Sequence, residues 1–215
     1  MPNSNVLTPE YIWNARLRRY QDADTGRIVS NKQVRAALDA VILSAKHETR
    51  TLTQQLLNGK ITLAEWQEQM AFNLKMQTLA SHALAKGGWA QMTASDFGKV
   101  GAELKKQYAY LQKFALDIQD NRISFDKRIL TRADLYAESA RGTFEDVLRE
   151  MACAEGFDRE RRNLGVADHC KSCVRYARMG WQVLGTLPSI GTKSLCMTNC
   201  HCSFEFARSI DGASF

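Results

Sequence analysis

Between residues 31 and 154, apolar residues recur at intervals of three and four positions, a spacing typical of amphipathic helices. Four such stripes are separated by turn signals, and they predict four long helices. The stripes are Val34, Leu38, Val41, Ile42, Ala45 and Leu52; Trp66, Met70 and Leu74; Phe97, Val100, Leu104, Tyr108, Leu111, Ala115 and Ile118; and Tyr136, Ala140, Phe144, Val147 and Met151. Because each stripe needs a partner for burial, we expect residues 31–156 to form a mainly α domain, an elongated helical bundle or a set of helical hairpins.

Start and stop signals bound these helices. The start signals are Ser30, the capping box of Thr62 with Glu65, and the pair Thr93 and Asp96, while the stop signals are Asn58–Gly59, Gly87–Gly88 and Asp120–Asn121. The last helix is expected over about residues 127–154, with Gly142 inside it at a cost of about 1 kcal/mol relative to alanine.

Residues 1–30 predict a helix followed by a short hairpin arm. Thr8 and Pro9 have the residue types of a helix cap and first helical position. Further on, the turn residues 22–26 separate two short segments that could pair as strands, since Gly26 can adopt the positive φ that such turns need.

After Gly156 the helical pattern fades and short segments replace long ones. Residues 161–164 and 203–207 predict short strands, and one or two helical turns are expected after Cys170. We therefore expect residues 157–215 to form a separate cysteine-rich module with short strands.

Five of the six cysteines lie within residues 170–202. A Cys-x2-Cys step is followed, after 22 residues, by a Cys-x3-Cys-x-Cys step. A Cys-x2-Cys turn directs two thiolates at one ion, and a second cluster returned by a loop completes a tetrahedron. Four thiolates suit zinc, so the spacing predicts one structural zinc ion per chain. The candidate metal ligands are Cys170, Cys173, Cys196, Cys200 and Cys202.

The sequence favours Cys170, Cys173, Cys196 and Cys200 as the four ligands, with Cys202 as the alternative fourth. Cys196 and Cys200 can share one face of a helical turn, whereas Cys200 and Cys202 share a face only in an extended segment. His169 and His201 flank these cysteines and could substitute for one of them, although flanking histidines more often face solvent.

Other roles for the cysteines are less consistent with the sequence. Disulfides are disfavoured because no secretory signal is evident at the N-terminus, and buried free thiols do not account for the clustering. A catalytic zinc would need an open position and a general base, and the chain has no His-Glu-x-x-His motif. We therefore expect no enzymatic activity. Cys153, outside the cluster, is expected to be a packing residue.

The net charge is +6, from 29 lysines and arginines against 23 acidic residues. This favours acidic partners only weakly, because the charges occur in mixed-sign runs such as residues 159–162, which we expect on a solvated face. No stripe of basic residues with interleaved aromatics indicates a nucleic-acid groove reader. No run of 18 apolar residues predicts a membrane span.

The C-terminal motifs resemble those of a known family. They are Asp168-His169-Cys170-x2-Cys173, Gly180-Trp181, Leu187-Pro188-x2-Gly191 and Cys196-x2-Asn199-Cys200-His201-Cys202. This run resembles the C-terminal signature of the Mu F-like head morphogenesis family, the minor head proteins of tailed bacteriophages, which typically close with an Asn-Cys-Arg-Cys step. The likeness covers about a sixth of the chain. Here His201 replaces the commoner arginine, and the chain is shorter than many members.

The resemblance implies a virion component that is assembled in the host cytoplasm. Several copies of the protein would be present in a symmetric assembly. Its partners would be portal, major capsid or neck proteins, with non-specific contact to packaged DNA as a further possibility. A neck, connector or capsid-decorating protein is the nearest alternative. A zinc-containing nucleic-acid-binding protein is the alternative from another class.

Overall fold

The computed structural model describes residues 11–209 of the chain. Within that range, five α-helices and two small antiparallel sheets confirm the mainly α class that the hydrophobic pattern predicts. The helices are α1 (Asn31–Leu57), α2 (Leu63–Lys86), α3 (Ala94–Gln119), α4 (Lys127–Ala154) and α5 (Lys171–Arg178). The strands are β1 (Tyr11–Asn14), β2 (Arg19–Asp22), β3 (Ile28–Val29), β4 (Arg159–Asn163), β5 (Gln182–Val183) and β6 (Ser203–Ala207).

The chain divides into two compact units, and the division falls inside α4, between Ala140 and Arg141. The change of sequence pattern had placed the boundary near residue 156 instead. The second half of α4 belongs to the C-terminal unit because its side chains are tied to that unit. The Glu145 carboxylate accepts a hydrogen bond of 3.0 Å from the backbone N–H of Phe204 in β6.

The helix predicted to start at Thr8 and Pro9 is not found over the described residues that follow. Residues 11–14 are strand β1, which pairs antiparallel with β2, and β2 pairs with β3 as the predicted hairpin; Thr8 and Pro9 lie outside the described residues. Cross-strand packing accounts for the extended conformation. Trp13 lies opposite Tyr20 in the register, with the two rings edge to face and their centroids 4.8 Å apart.

The N-terminal unit is built from successive helical hairpins, in which α1 packs on α2 and α2 on α3. The side chains of Ser30, Thr62 and Thr93 each accept a hydrogen bond from the backbone N–H three residues later, so the predicted caps are confirmed. Within the described range 11–209, none of the helices is both long enough and apolar enough to cross a membrane.

Aromatic side chains form the centre of this unit's core. The Trp66 ring meets Phe114 edge to face at 5.3 Å between centroids, and Phe114 stacks on Tyr136 at 6.0 Å. The indole N–H of Trp66 donates to Thr53 Oγ1 at 3.1 Å, so its burial leaves no polar atom unpaired. The surrounding buried residues are Leu56, Met70, Leu74, Val100, Leu104, Leu111, Ala115, Ile118, Ile129 and Ala133.

In the C-terminal unit, β4 is the central strand of a sheet ordered β5-β4-β6. Its charged residues were expected on a solvated face, but Glu160 and Arg162 are buried. The expectation was wrong because alternate strand residues share a face, and here that face points inward. Glu160 accepts a hydrogen bond from the backbone N–H of Leu187 at 2.8 Å and pairs with Arg149 at 2.8 Å. Arg162 donates to the carbonyl of Pro188.

The structure explains why a glycine lies inside α4 at position 142, which the sequence pattern does not. A Cβ atom at this position would lie 2.8 Å from the carbonyl oxygen of Ile190, in the loop that follows β5. A contact this short forces the backbone of that loop to move, since only the absence of a side chain allows the approach. Gly98 in α3 is exposed and has no atom within 4 Å of the corresponding position.

Replacing Gly142 with alanine should therefore destabilise the protein by about 1–3 kcal/mol, because overpacking outweighs the gain in helix propensity. The matched change Gly98→Ala should instead stabilise it by up to about 1 kcal/mol. Urea unfolding followed by circular dichroism measures both free energies. Stabilisation by Gly142→Ala comparable to that by Gly98→Ala would contradict the close approach.

Candidate metal centre

Helix α5 positions the first two cysteines. Cys170 is its N-cap, and the Cys170 sulfur accepts a hydrogen bond of 3.5 Å from the backbone N–H of Cys173. The Cys-x2-Cys step is therefore a helix start, in which the sulfur of the cap and that of the first turn lie on the same side. Cys173 is buried, whereas Cys170 is half-buried.

The other three cysteines lie around a short 3₁₀ turn over Met197–Asn199. Cys196 precedes the turn and Cys200 follows it, so the helical turn expected between them is confirmed in 3₁₀ form. Cys200 has extended backbone angles, and Cys202 lies immediately before β6. Because alternate residues of an extended segment share a face, both sulfurs enter the same cluster.

The sulfur atoms of Cys170, Cys173, Cys196, Cys200 and Cys202 form what we call the five-thiol cluster. The Cys196 sulfur is 3.5 Å from those of Cys170 and Cys173, and the Cys173 sulfur is 3.5 Å from that of Cys200. In a tetrahedral site with metal–sulfur bonds of about 2.3 Å, neighbouring sulfurs are about 3.8 Å apart. The separations of neighbouring sulfurs are thus close to those between adjacent thiolate ligands of a tetrahedral metal ion.

Within the described residues, the sulfurs form two groups whose members all lie within 4.8 Å of one another. The first donor set is Cys170, Cys173 and Cys196, and the second donor set is Cys173, Cys200 and Cys202. The cluster thus contains all four favoured ligands and the alternative, and Cys173 belongs to both sets. Which four bind a metal stays a prediction.

His169 is half-buried beside the cluster, and His201 is exposed. The His169 Nε2 atom is 2.7 Å from the carbonyl oxygen of Gly165, which can only accept, so Nε2 carries the proton. In the neutral ring Nδ1 is then an acceptor, and it lies 3.9 Å from the Cys202 sulfur, whose S–H can donate to it.

Because the thiols lie close together, some of their pKa values are lowered and others are raised. A hydrogen bond from Cys202 lowers the pKa of Cys200 to about 4, and the same interaction raises the pKa of Cys202. Burial raises the pKa of Cys173, which is close to several sulfurs. Thiolates this close repel one another, so they do not all ionise at neutral pH without a cation between them. A metal ion supplies that cation and displaces the protons.

Two polar groups near the cluster are not predicted by the sequence pattern. The Arg162 guanidinium lies 4.0 Å from the Cys200 sulfur, and Ser194 Oγ lies 3.3 Å from the Cys196 sulfur. Arg162 also packs over the rings of Tyr176 and Phe204. The position of Arg162 could have been predicted from the alternation of residues along β4. This alternation allows the side chain to lie on the inner face of the sheet.

Cys153 was expected to be a packing residue, and this prediction was wrong. It is an exposed free thiol near the end of α4, outside the five-thiol cluster. The apolar stripe of α4 continues to Met151, but Cys153 falls on the opposite, solvated side of this helix. All six cysteines are free thiols in the described structure, which gives no support to the disulfide alternative.

Comparisons with models of protein families, with curated proteins and with solved structures found no match to this chain. The chemistry of the cluster therefore rests on its own geometry and donors. Five thiols brought together from two segments, largely buried, can hold a metal ion.

Because Cys173 belongs to both donor sets, Cys173→Ser should abolish metal binding in the five-thiol cluster. Cys153→Ser removes an exposed thiol outside the cluster and should leave the metal content unchanged. Mass spectrometry of metals in the purified proteins, after gel filtration to remove loose ions, measures both. Full metal content in the Cys173 variant would exclude this cluster as the binding site.

Proposed function

We propose that the C-terminal unit is a zinc-stabilised module and that the protein is a structural component of a tailed-phage virion, most consistent with a minor head protein contacting portal or capsid. The zinc module is supported by the convergence of five thiols, in which the distances between neighbouring sulfurs are close to those in tetrahedral thiolate sites. Soft thiolate ligands suit zinc, and a tetrahedral, largely buried site suits a structural ion.

The nearby carboxylates support a structural role for the ion. Glu160 is tied to the Leu187 backbone and to Arg149, and Glu145 is tied to the Phe204 backbone. A general base needs a carboxylate that can reach a metal-bound water. These two are instead used to hold the fold. The ion would thus cross-link the start of α5 to the segment before β6, adding folding energy to a unit with a small apolar core.

The virion assignment is supported by the resemblance of the cysteine motifs to the Mu F-like signature and by the surface of α3. That helix exposes Tyr110, Phe97 and Leu116, with 64%, 49% and 44% of each residue accessible. Each of these apolar side chains would lose contact with water if a partner protein packed against that part of the helix. A protein that assembles with portal, capsid or neck subunits needs such packing.

Protein purified without added metal should contain zinc. Zinc has a filled d shell and the site would be colourless, whereas iron bound by thiolates would absorb visible light. Metal mass spectrometry together with an absorption spectrum distinguishes the two. Removal of the ion with a strong chelator should unfold the C-terminal unit, seen as loss of protection from hydrogen exchange in β4 and β6. Iron, or a metal-free folded unit, would contradict the zinc module.

The virion proposal predicts that the protein is present in purified particles and in DNA-free proheads of the phage that encodes it. Quantitative mass spectrometry of both preparations detects it, and cryo-electron microscopy locates it. Absence from both would refute the assignment.

Binding of the isolated protein to duplex DNA distinguishes the nucleic-acid alternative. A structural protein with only non-specific contacts should be released at moderate salt. Sequence-selective retention at physiological salt would favour a nucleic-acid-binding protein instead.

A further inference from the structure

Resting on the proposed zinc module, the geometry points to a second metal-binding position in the same cluster, so that the unit holds two zinc ions bridged by thiolates. The starting point is the arrangement of the five sulfurs. A single tetrahedral ion would gather four sulfurs about 3.8 Å from one another. The described residues instead contain two sets of three that share Cys173.

The shared sulfur is placed as a bridging ligand would be. Cys173 lies 3.5 Å from the sulfur of Cys196 in the first donor set and 3.5 Å from that of Cys200 in the second. Cys173 is also almost completely buried, with 1% of its surface exposed. A sulfur with close partners on two sides can bind an ion on each side.

The nearest nitrogen donor to the second set is His169, which lies beside Cys202 but outside the group of sulfurs within 4.8 Å of one another. Its Nε2–H is held by the Gly165 carbonyl, so Nδ1 is the acceptor that faces the Cys202 thiol, and its lone pair can bind a metal ion that displaces the thiol proton. Nδ1 lies 3.9 Å from the Cys202 sulfur, near the separation of about 3.6 Å expected between nitrogen and sulfur ligands of one zinc ion. A carbonyl that fixes the ring of a ligating histidine is a common second-shell arrangement.

The donors then add up to two four-coordinate ions. Five thiols and one imidazole give six donors, and eight coordination positions require two of them to bridge. Cys173, which belongs to both sets, is one bridge. Cys200 lies 3.5 Å from Cys173 but outside the first set, and it would become the second bridge by moving toward the first ion on binding. The outer ligands are Cys170 and Cys196 on one ion, and Cys202 and His169 on the other.

The charge balance agrees with two ions. Each thiol gives its proton to solvent on binding, so five thiolates and two zinc ions leave a net charge of −1. The Arg162 guanidinium, 3% exposed and 4.0 Å from the Cys200 sulfur, offsets it. One ion with four thiolates would leave −2 beside the same single arginine, and buried charge without a partner is costly.

The wild-type protein tests the inference directly. Purified anaerobically with excess zinc and then desalted, it should contain about two zinc ions per chain by metal mass spectrometry and by native mass spectrometry. A content of about one ion would overturn the second position and leave the zinc module standing. Protein that folds with no metal would overturn the module itself.

Two histidine variants test which residues hold the second ion. His169→Ala should lower the zinc content from about two ions to about one, whereas His201→Ala, which removes the exposed neighbouring imidazole, should keep two. Two ions retained in His169→Ala would overturn the ligand assignment.

A spectroscopic measurement on the unmodified protein does not depend on the variants folding. After replacement of zinc by ¹¹³Cd, the nuclear magnetic resonance spectrum should contain two cadmium signals, one from a site of four sulfurs and one from a site of three sulfurs and a nitrogen. A single signal at saturating cadmium would overturn the bridged pair.

Discussion

Mutual repulsion of thiolates is the constraint on which the C-terminal unit depends. Five thiol groups from two segments meet, with three pairs of their sulfurs 3.5 Å apart, and they cannot all ionise together unless a cation lies between them. Apart from that cation, the segment before β6 and the loop leading to it are held against α5 by a small apolar core and by a hydrogen bond of 2.9 Å from the Tyr176 hydroxyl to the Lys193 carbonyl. The proposed zinc would thus convert a repulsive arrangement into a cross-link.

The buried charged residues around the cluster also need partners of opposite charge or hydrogen-bonding groups. Glu160 lies between Arg149 and a backbone N–H, and Arg162 reaches both the Pro188 carbonyl and the neighbourhood of Cys200. Each group is paired, which is the condition for burying charge in a protein interior. These pairs connect α4 and β4 to the loops that carry the cysteines, so the position of the thiols and the internal ion pairs depend on one another.

The N-terminal unit is stabilised by a different kind of interaction. Its helices are long, capped at their starts and joined through an aromatic core around Trp66 and Phe114, and burial of apolar surface is the main stabilising term.

The sequence by itself determined the four long helices, their capped starts, the hairpin of β2 and β3 and the cysteines that form the cluster, because these depend on local periodicity, local hydrogen bonds and close spacing. It could not determine strand β1, the burial of Glu160 and Arg162, the exposure of Cys153 or the division within α4. Nor could it order the sulfurs into two sets sharing Cys173, or turn His169 toward Cys202. Those features arise from contacts between segments far apart in the chain, such as β4 with β6, and only the tertiary structure decides which side chains such contacts bring together.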